Sequence, residues 1–311
     1  MAEPCLPAGR LLRGRGKGFS VARKVPQDDL VDLHVHSSAS DGAYPPREVV
    51  ERAAEAGLKA IALTDHDTLA GQAEARAAGG AVGLEIVPGV EISTEFERGA
   101  CHILGYFIEV GDAALEKMLE AAREGRQVRN REMLERLNRM GFGLSMEDIV
   151  GQAGEGVVTR AHFAAAMLRK GYVASWDEVF EKYLGRGKPA YVERRHVEPE
   201  EAIEAIRGAG GLAVLAHPRQ LNRGPEEMQS WFRRLAAAGL DGLETQSPDH
   251  GAEDAQRYHE AAARLGLLET GGTDWHGRKE SGIRLGVGRG QMRIRYAVVE
   301  AMRSRLAGRR R

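Results

Sequence analysis

The stretch DLHVHSSASDG, residues 32–42, places two histidines one residue apart at the end of an apolar run. The run LVDLHV is typical of a buried strand, and the small and polar residues after it are typical of a loop. In a strand, residues i and i+2 point to the same face, so His34 and His36 can bind one metal ion together. Two packed core histidines would give the same pattern, so the pair alone is a weak signal.

Strand and helix patterns alternate along both ends of the chain. Strand patterns follow at 59–65, 84–93 and 101–109, and helix patterns lie at 45–57 and 71–80. The pattern is then nearly all helical to about residue 188, after which the alternation of strands and helices resumes. This order predicts an α/β fold with a largely parallel sheet or barrel that is interrupted by a helical insertion.

The same patterns predict the domain boundaries. We expect a discontinuous barrel formed by 28–110 and 190–300, with the helical insertion at 111–189 acting as a substrate cap. Residues 1–27 are basic and lack the continuous apolar segment of a signal peptide, so they favour a disordered arm. Residues 301–311 are predicted to form a basic tail.

Composition excludes several classes of protein. The 311 residues carry a formal net charge of -1, so the overall charge does not indicate a nucleic-acid-binding protein. A local basic groove is still compatible with this net charge. No apolar run is long enough for a membrane span. The two cysteines, Cys5 and Cys101, form no CxxC pattern, which favours a reduced cytoplasmic protein. Nothing indicates an obligate protein partner.

Scarce polar residues fall beside the predicted strand ends. The candidate metal ligands are His34, His36, Asp41, His66, Glu91, His102, His217, Asp274 and His276. Each alone has an ordinary structural interpretation, such as a packed histidine or an ion pair, and Asp65 and Asp67 could each cap a helix. Ligands from several strand ends converge at one face of an α/β barrel. Nine are too many for one tetrahedral site, so they predict two or three ions, and imidazole and carboxylate suit Mn²⁺, Fe²⁺ or Zn²⁺.

The motifs DLHVHSSASDG, ALTDHDTLAG, VPGVEIS, CHILGY, LAHP and GGTDWHG resemble, in order, those of the PHP family (polymerase and histidinol phosphatase). The resemblance covers about residues 30–290 and is closest to the branch with 3′,5′-nucleoside bisphosphate phosphatases and a 5′-to-3′ exoribonuclease. It implies a distorted (β/α)7 barrel and a trinuclear centre, commonly of Mn²⁺, held by all nine candidate ligands. Trp275 stands where Phe is usual and Ala161 where Pro is usual, and neither is a ligand.

The insertion contributes arginines, which can bind phosphate through a bidentate fork. The family pattern implies that Arg129 and Arg160 lie over the metal site and hold a second substrate phosphate. For Arg123 and Arg126 we expect instead a solvated basic helix face. Arg160 stands at a predicted helix start together with His162.

The resemblance implies phosphoester hydrolysis, on a nucleotide or a short RNA, with Asp67, His250 or a water as the proton donor to the leaving oxygen. His250 matches a histidine of this branch, although an exposed turn histidine would look the same. A histidinol phosphatase is an alternative that the arginines disfavour. A metal-dependent amidohydrolase also begins with His-x-His, but a strand-end lysine typical of that class is not evident. A non-catalytic nucleotide sensor is disfavoured by the complete ligand set.

Overall fold

The computed structural model describes residues 1, 29–94, 101–153, 158–193, 197–278 and 281–309. The predicted N-terminal arm, apart from Met1, lies outside the described residues. Among the described helices, none combines the length and the apolar character that crossing a membrane requires.

A seven-stranded sheet forms the centre of the molecule, with its strands ordered along the sheet as they are along the chain. The strands are β1 (Val31–Val35), β2 (Ala60–Leu63), β3 (Glu85–Thr94), β4 (Cys101–Tyr106), β5 (Leu212–Leu215), β6 (Gly242–Gln246) and β7 (Leu268–Gly271). Strand β4 runs antiparallel to both neighbours, and the other four pairings are parallel. The sheet is therefore largely parallel, as predicted, with one reversed strand.

The sheet curls until the segment after β7 meets β1. Trp275 pairs with Val35 in an isolated parallel bridge. The amide of His36 donates to the Trp275 carbonyl at 2.9 Å, and the amide of Trp275 donates to the His34 carbonyl at 3.3 Å. The closing contact is thus made by a loop, and it brings the residues around Trp275 beside the histidines of β1. The predicted distorted (β/α)7 barrel is confirmed.

Helices cover the outside of the barrel and build the insertion. They are α1 (Pro46–Glu55), α2 (Gln72–Val82), α3 (Ala113–Arg139), α4 (Met146–Ala153), α5 (Arg160–Arg169), α6 (Trp176–Val179), α7 (Pro199–Gly208), α8 (Pro225–Ala237), α9 (Ala252–Leu265) and α10 (Ala297–Arg309). A π-helical turn, Phe180–Leu184, continues α6, and a 3₁₀ turn, Pro218–Leu221, follows β5. Helix α1 begins with Pro46, whose missing N–H costs nothing in a first turn.

The long helix α3 joins the insertion to the barrel. Leu115 and Leu119, in its first half, pack into the barrel core. Met133 and Leu137, in its second half, belong to a separate apolar cluster that includes Phe163. The insertion therefore has a core of its own, and one continuous helix sets its position relative to the sheet. We call residues 113–192 the cap.

The last described helix, α10, packs on the barrel. The residues predicted to form a basic tail continue as helix through Arg309, and Met302 is fully buried. Arg309 donates to the Gly211 carbonyl at 2.9 Å and pairs with Asp241. These contacts dock the helix against the starts of β5 and β6.

Candidate metal centre

The carboxyl end of β1 presents two fully buried imidazoles. His34 lies within the strand, and His36 follows its last residue, Val35. The Nε2 atoms of His34 and His36 lie 3.5 and 3.1 Å from Asp274 Oδ1, and each lies 3.3 Å from Glu91 Oε2. Residues from two strands and the closing loop thus direct their donor atoms toward one point.

Eight of the nine candidate ligands form three overlapping groups, within each of which the donor atoms lie no more than 4.8 Å apart. The groups are His36, Asp41, His66 and His276; His34, His36, Glu91 and Asp274; and His66, Glu91 and His102. His36, His66 and Glu91 each belong to two groups. A carboxylate shared between groups is what a bridging ligand requires, so the arrangement could hold neighbouring divalent ions.

The ninth candidate, His217, lies outside these groups but contacts the shared carboxylate. Its Nε2 atom is 3.0 Å from Glu91 Oε1, which also lies 2.7 Å from His102 Nδ1. His217 has a backbone φ of 22° and Asp274 one of 51°. Such left-handed conformations cost on the order of 1–3 kcal/mol outside glycine, so the surrounding structure must hold both residues in place.

Several buried nitrogen and oxygen atoms of the candidate ligands make no hydrogen bond to another described atom. They are His34 Nε2, both ring nitrogens of His36, His66 Nδ1, Glu91 Oε2 and His217 Nδ1. Several of these atoms lie 3.0–3.3 Å from one another without forming a hydrogen bond, so a metal ion between them would satisfy them together. Nitrogen and carboxylate oxygen are the donors that Mn²⁺, Fe²⁺ and Zn²⁺ accept, so the residues fit a divalent metal centre.

The charges of the centre are strongly coupled. Burial favours the neutral form of His34, but Glu244, Glu91 and Asp274 outweigh it and raise the pKa of His34 well above its usual value. Burial favours the protonated form of Glu91, but the neighbouring histidines hold the pKa of that carboxyl well below its usual range. Burial lowers the pKa of His102 to about 4. The metal-free centre therefore favours a protonated His34 beside ionised carboxylates, and a proton on His34 competes with a metal ion.

A further carboxylate, which the sequence did not single out, supports the ligands from behind. Glu244 lies in β6 and is fully buried. Its Oε1 atom accepts from His34 Nδ1 at 3.1 Å, and its Oε2 atom accepts from the His217 amide at 2.7 Å. The contact at Nδ1 leaves His34 Nε2 facing the metal centre, so Glu244 fixes the orientation of one ligand and the backbone of another. An acid inside a buried strand is the signal that could have identified it.

Two other buried aspartates hold the ligand-bearing loops. Asp32 accepts hydrogen bonds from the amide and hydroxyl of Thr273, at 2.9 and 2.6 Å, beside Asp274. Asp65 accepts from the amide and hydroxyl of Ser37, at 2.8 and 2.7 Å, in the loop after His36. Burial raises the pKa of both aspartates, although these hydrogen bonds oppose the shift. They fasten the loops from which the ligands project.

Asp67 joins the barrel to the cap. Its carboxylate is buried, accepts from the Ser93 amide at 2.9 Å and pairs with the Arg126 guanidinium. Arg126 also donates to the Ser93 hydroxyl at 2.9 Å, and Arg123 donates to the Asp67 carbonyl at 2.7 Å. The expectation of a solvated basic face is therefore wrong for Arg126, which is 7% exposed, and Arg123 is partly buried. The reason is that Asp67 supplies the charge that allows α3 to bury a guanidinium at this interface.

The remaining candidate residues lie on two helices of the cap and in a loop of the barrel. Arg129 is 6% exposed and follows Arg126 by about one turn of α3. Arg160 begins α5, with its guanidinium carbon 5.8 Å from the centre of the Tyr191 ring. His250 donates from Nδ1 to the Thr245 carbonyl at 3.1 Å, and burial lowers its pKa. The structure thus places both arginines in the cap and His250 in the loop after β6.

Comparison with known proteins agrees with this geometry. Residues 32–183 match the PHP domain family. A 3′,5′-nucleoside bisphosphate phosphatase of Chromobacterium violaceum is 38% identical over 264 residues, which cover 82% of this chain and 90% of that protein. A 5′-3′ exoribonuclease of Haemophilus influenzae is 36% identical over 249 residues, covering 79% of this chain and 89% of that protein.

Two solved structures share the fold over nearly their whole length. One, described as an amidohydrolase from Chromobacterium violaceum with bound sulfate, is 37% identical with a TM-score of 0.77, covering 82% of this chain and 89% of that chain. The other is a candidate metal-dependent phosphoesterase from Bifidobacterium adolescentis, 31% identical with a TM-score of 0.77, covering 88% of this chain and 96% of that one. The chain belongs to the PHP domain family.

Proposed function

We propose that this protein is a metal-dependent phosphoric ester hydrolase that removes the 3′-phosphate of nucleoside 3′,5′-bisphosphates, or releases nucleotides stepwise from the 5′ end of short RNA. The observation that carries the proposal is the set of three ligand groups that share His36, His66 and Glu91. The relatives named as a bisphosphate phosphatase and an exoribonuclease support the choice of substrate.

Two or three divalent ions, Mn²⁺ first and Fe²⁺ or Zn²⁺ as alternatives, suit the nine ligands. When bound, such ions supply a water with a pKa near neutrality and offset charge on the phosphoryl oxygens. The protein's own part is to present the ligand atoms in a buried, rigid frame. Glu244 contributes by orienting His34, and Asp32 and Asp65 contribute by fixing the loops.

His250 is our candidate for exchanging a proton with the leaving oxygen. Because its Nδ1 donates to the Thr245 carbonyl, Nε2 is the ring atom that can take up and return a proton. That Nε2 atom is buried and makes no hydrogen bond to a described residue. Asp67, the other candidate, is paired with Arg126, which favours a role in positioning the cap.

Arg129 and Arg160 are our candidates for binding the second phosphate of the substrate. Both lie in the cap, and Arg129 follows the arginine that ties the cap to the barrel. Two guanidinium groups can clamp a phosphate that is not itself hydrolysed and so fix the geometry of the reacting one. A cytoplasmic location and the lack of an obligate protein partner stay predictions of the sequence.

The test uses the Mn²⁺-loaded protein with adenosine 3′,5′-bisphosphate and, in parallel, with a short 5′-phosphorylated RNA. We expect phosphate and AMP from the first substrate or stepwise mononucleotides from the second, and Asp274→Asn should abolish both. Silence of the metal-loaded protein on both substrates, or full activity of Asp274→Asn, would contradict the proposal.

Arg160→Ala tests the phosphate clamp. It should weaken use of the bisphosphate and spare a small artificial phosphomonoester, because only the bisphosphate has a second phosphate to hold. Arg169→Ala is the matched control, since Arg169 ends the same helix with a side chain that is 48% exposed. Equal losses on both substrates would argue against the clamp.

A further inference from the structure

A groove of about 780 Å³ leads away from the metal centre between the cap and the barrel. Its walls include Asp41, His162, Leu168, Trp176, Arg278 and Ser281. Asp41, at one end, is 7% exposed, whereas Trp176 is 42% exposed, so the groove runs from the buried centre to the surface. Its volume lies within the roughly 300–1,000 Å³ of typical ligand sites.

The inner end of the groove carries a buried hydrogen-bond donor without a partner. The Thr159 amide donates to His162 Nδ1 at 2.8 Å, so Nδ1 holds a lone pair and the ring proton sits on Nε2. His162 is only 2% exposed, and its Nε2 makes no hydrogen bond to a described residue. Burial lowers the pKa of His162 to about 4, in keeping with a neutral ring. A buried N–H of this kind is built to meet an acceptor in the groove.

Arg278 supplies a positive charge at the same end. It follows the closing loop that carries Asp274 and His276, and it donates to the Asp41 carbonyl at 2.9 Å. That bond holds the guanidinium beside the loop that carries a candidate metal ligand. An N–H donor and a guanidinium facing one space are the groups that bind a phosphodiester oxygen.

The outer end of the groove is aromatic and apolar. Trp176 begins α6, and its ring stacks on Phe180 with the centroids 6.4 Å apart and an angle of 14°. Phe180 supports the indole, which keeps 42% of its surface exposed, and Leu168 continues the apolar wall. An exposed, supported indole is a suitable platform for stacking a nucleobase.

We propose that this groove binds the nucleotide that follows the scissile phosphate in an oligoribonucleotide, with that scissile phosphate at the inner end beside His162 and Arg278 and the base of the nucleotide on Trp176. This inference rests on the proposed function and narrows its substrate class to 5′-phosphorylated chains of at least two nucleotides. The order of groups along the groove, donor and cation first and aromatic ring last, is the order of phosphate and base in a nucleotide.

The experiment compares kcat/KM of the Mn²⁺-loaded protein for 5′-phosphorylated pentaadenylate and for adenosine 3′,5′-bisphosphate. Trp176→Ala should lower kcat/KM for the pentamer by about 5- to 150-fold, the loss expected for one base stack. The bisphosphate has no following nucleotide, so its value should change less than about twofold. Trp176→Phe should recover most of the loss, because it keeps an aromatic face.

Tyr172→Ala is the matched control, since Tyr172 is a 36% exposed aromatic residue of the cap that packs edge-on against Phe142. It should change neither substrate. Equal losses on both substrates with Trp176→Ala, or no loss on either, would overturn the inference.

A further measurement distinguishes failure of the proposed function from failure of this inference. If the wild-type protein hydrolyses neither substrate, quenching of its tryptophan fluorescence by the pentamer decides the inference. Quenching that disappears in Trp176→Phe would sustain the groove as a nucleotide subsite. Quenching that is absent, or that persists in Trp176→Phe, would overturn it.

Discussion

Glu244→Gln is the sharpest perturbation of the metal centre that leaves every proposed ligand in place. The substitution keeps the side-chain volume and removes one buried charge. The lost interaction is the charge-assisted contact with His34 Nδ1 at 3.1 Å, while an amide oxygen can still accept from the His217 amide. The ligand His34 would then lose the partner that orients it and makes it a stronger base.

The expected loss follows from that single contact. Removing the partner of a metal-bound histidine typically lowers metal affinity about 10- to 100-fold, which corresponds to about 1.4–2.8 kcal/mol. Titration of the metal-free protein with Mn²⁺, followed by calorimetry, measures the change directly. Far-ultraviolet circular dichroism should stay unchanged, because the substitution conserves volume.

Glu269→Gln provides the control. Glu269 lies on the neighbouring strand β7 and also pairs with a histidine, His259, at 2.9 Å, but both side chains of this pair are exposed. Its Mn²⁺ affinity should match that of the wild type. If Glu244→Gln bound Mn²⁺ as tightly as Glu269→Gln, the role assigned to Glu244 in orienting His34 would be refuted.

Three further predictions concern pH, the cap and the thiol. In the metal-free protein the carboxylates around His34 outweigh burial and raise its pKa well above 6.5. Their stabilisation is therefore complete below pH 6.5 and is lost as pH rises through the raised pKa, so Tm without metal should fall as pH rises above 6.5, and a flat profile would contradict this. Arg126→Met leaves the buried Asp67 carboxylate without its cation and should lower the free energy of unfolding by about 3–5 kcal/mol. With an unfolding entropy of about 0.65 kcal/mol/K for 311 residues, Tm should fall by about 5–8 °C, and a loss under about 1 kcal/mol would show that the pair does not hold the cap on the barrel. Burial raises the pKa of Cys101 to about 11, so iodoacetamide at pH 8 should leave this thiol unlabelled in the folded protein, as peptide mass mapping would show.

The barrel could be predicted because its signals are local. Strand runs separated by helix patterns predict parallel pairings, and the scarce polar residues beside them predict the ligand cluster. The reversed strand β4 could not be read this way, because the direction of a strand depends on its partners. It explains why His102 reaches the centre: His102 lies near the start of β4, and the start of an antiparallel strand meets the carboxyl ends of its parallel neighbours at one edge.

The support around the ligands was harder to predict than the ligands. In the sequence, Glu244 does not stand out from the other acidic residues. Only the fold shows that β6 directs its carboxylate toward His34. Arg126 reads as part of a solvated helix face, since its neighbours on α3 are charged, and its burial depends on Asp67, 59 residues earlier. Both depend on contacts between distant segments, which no local pattern reports.

We propose that neighbouring divalent ions, held by the overlapping ligand groups, support phosphoester hydrolysis. The most direct test measures phosphate release from adenosine 3′,5′-bisphosphate while Mn²⁺ is added in counted equivalents to the metal-free protein. We expect no turnover without metal and activity that rises steeply only as the second equivalent binds. Full activity at one equivalent, or turnover that persists in excess chelator, would show that the ions do not act together.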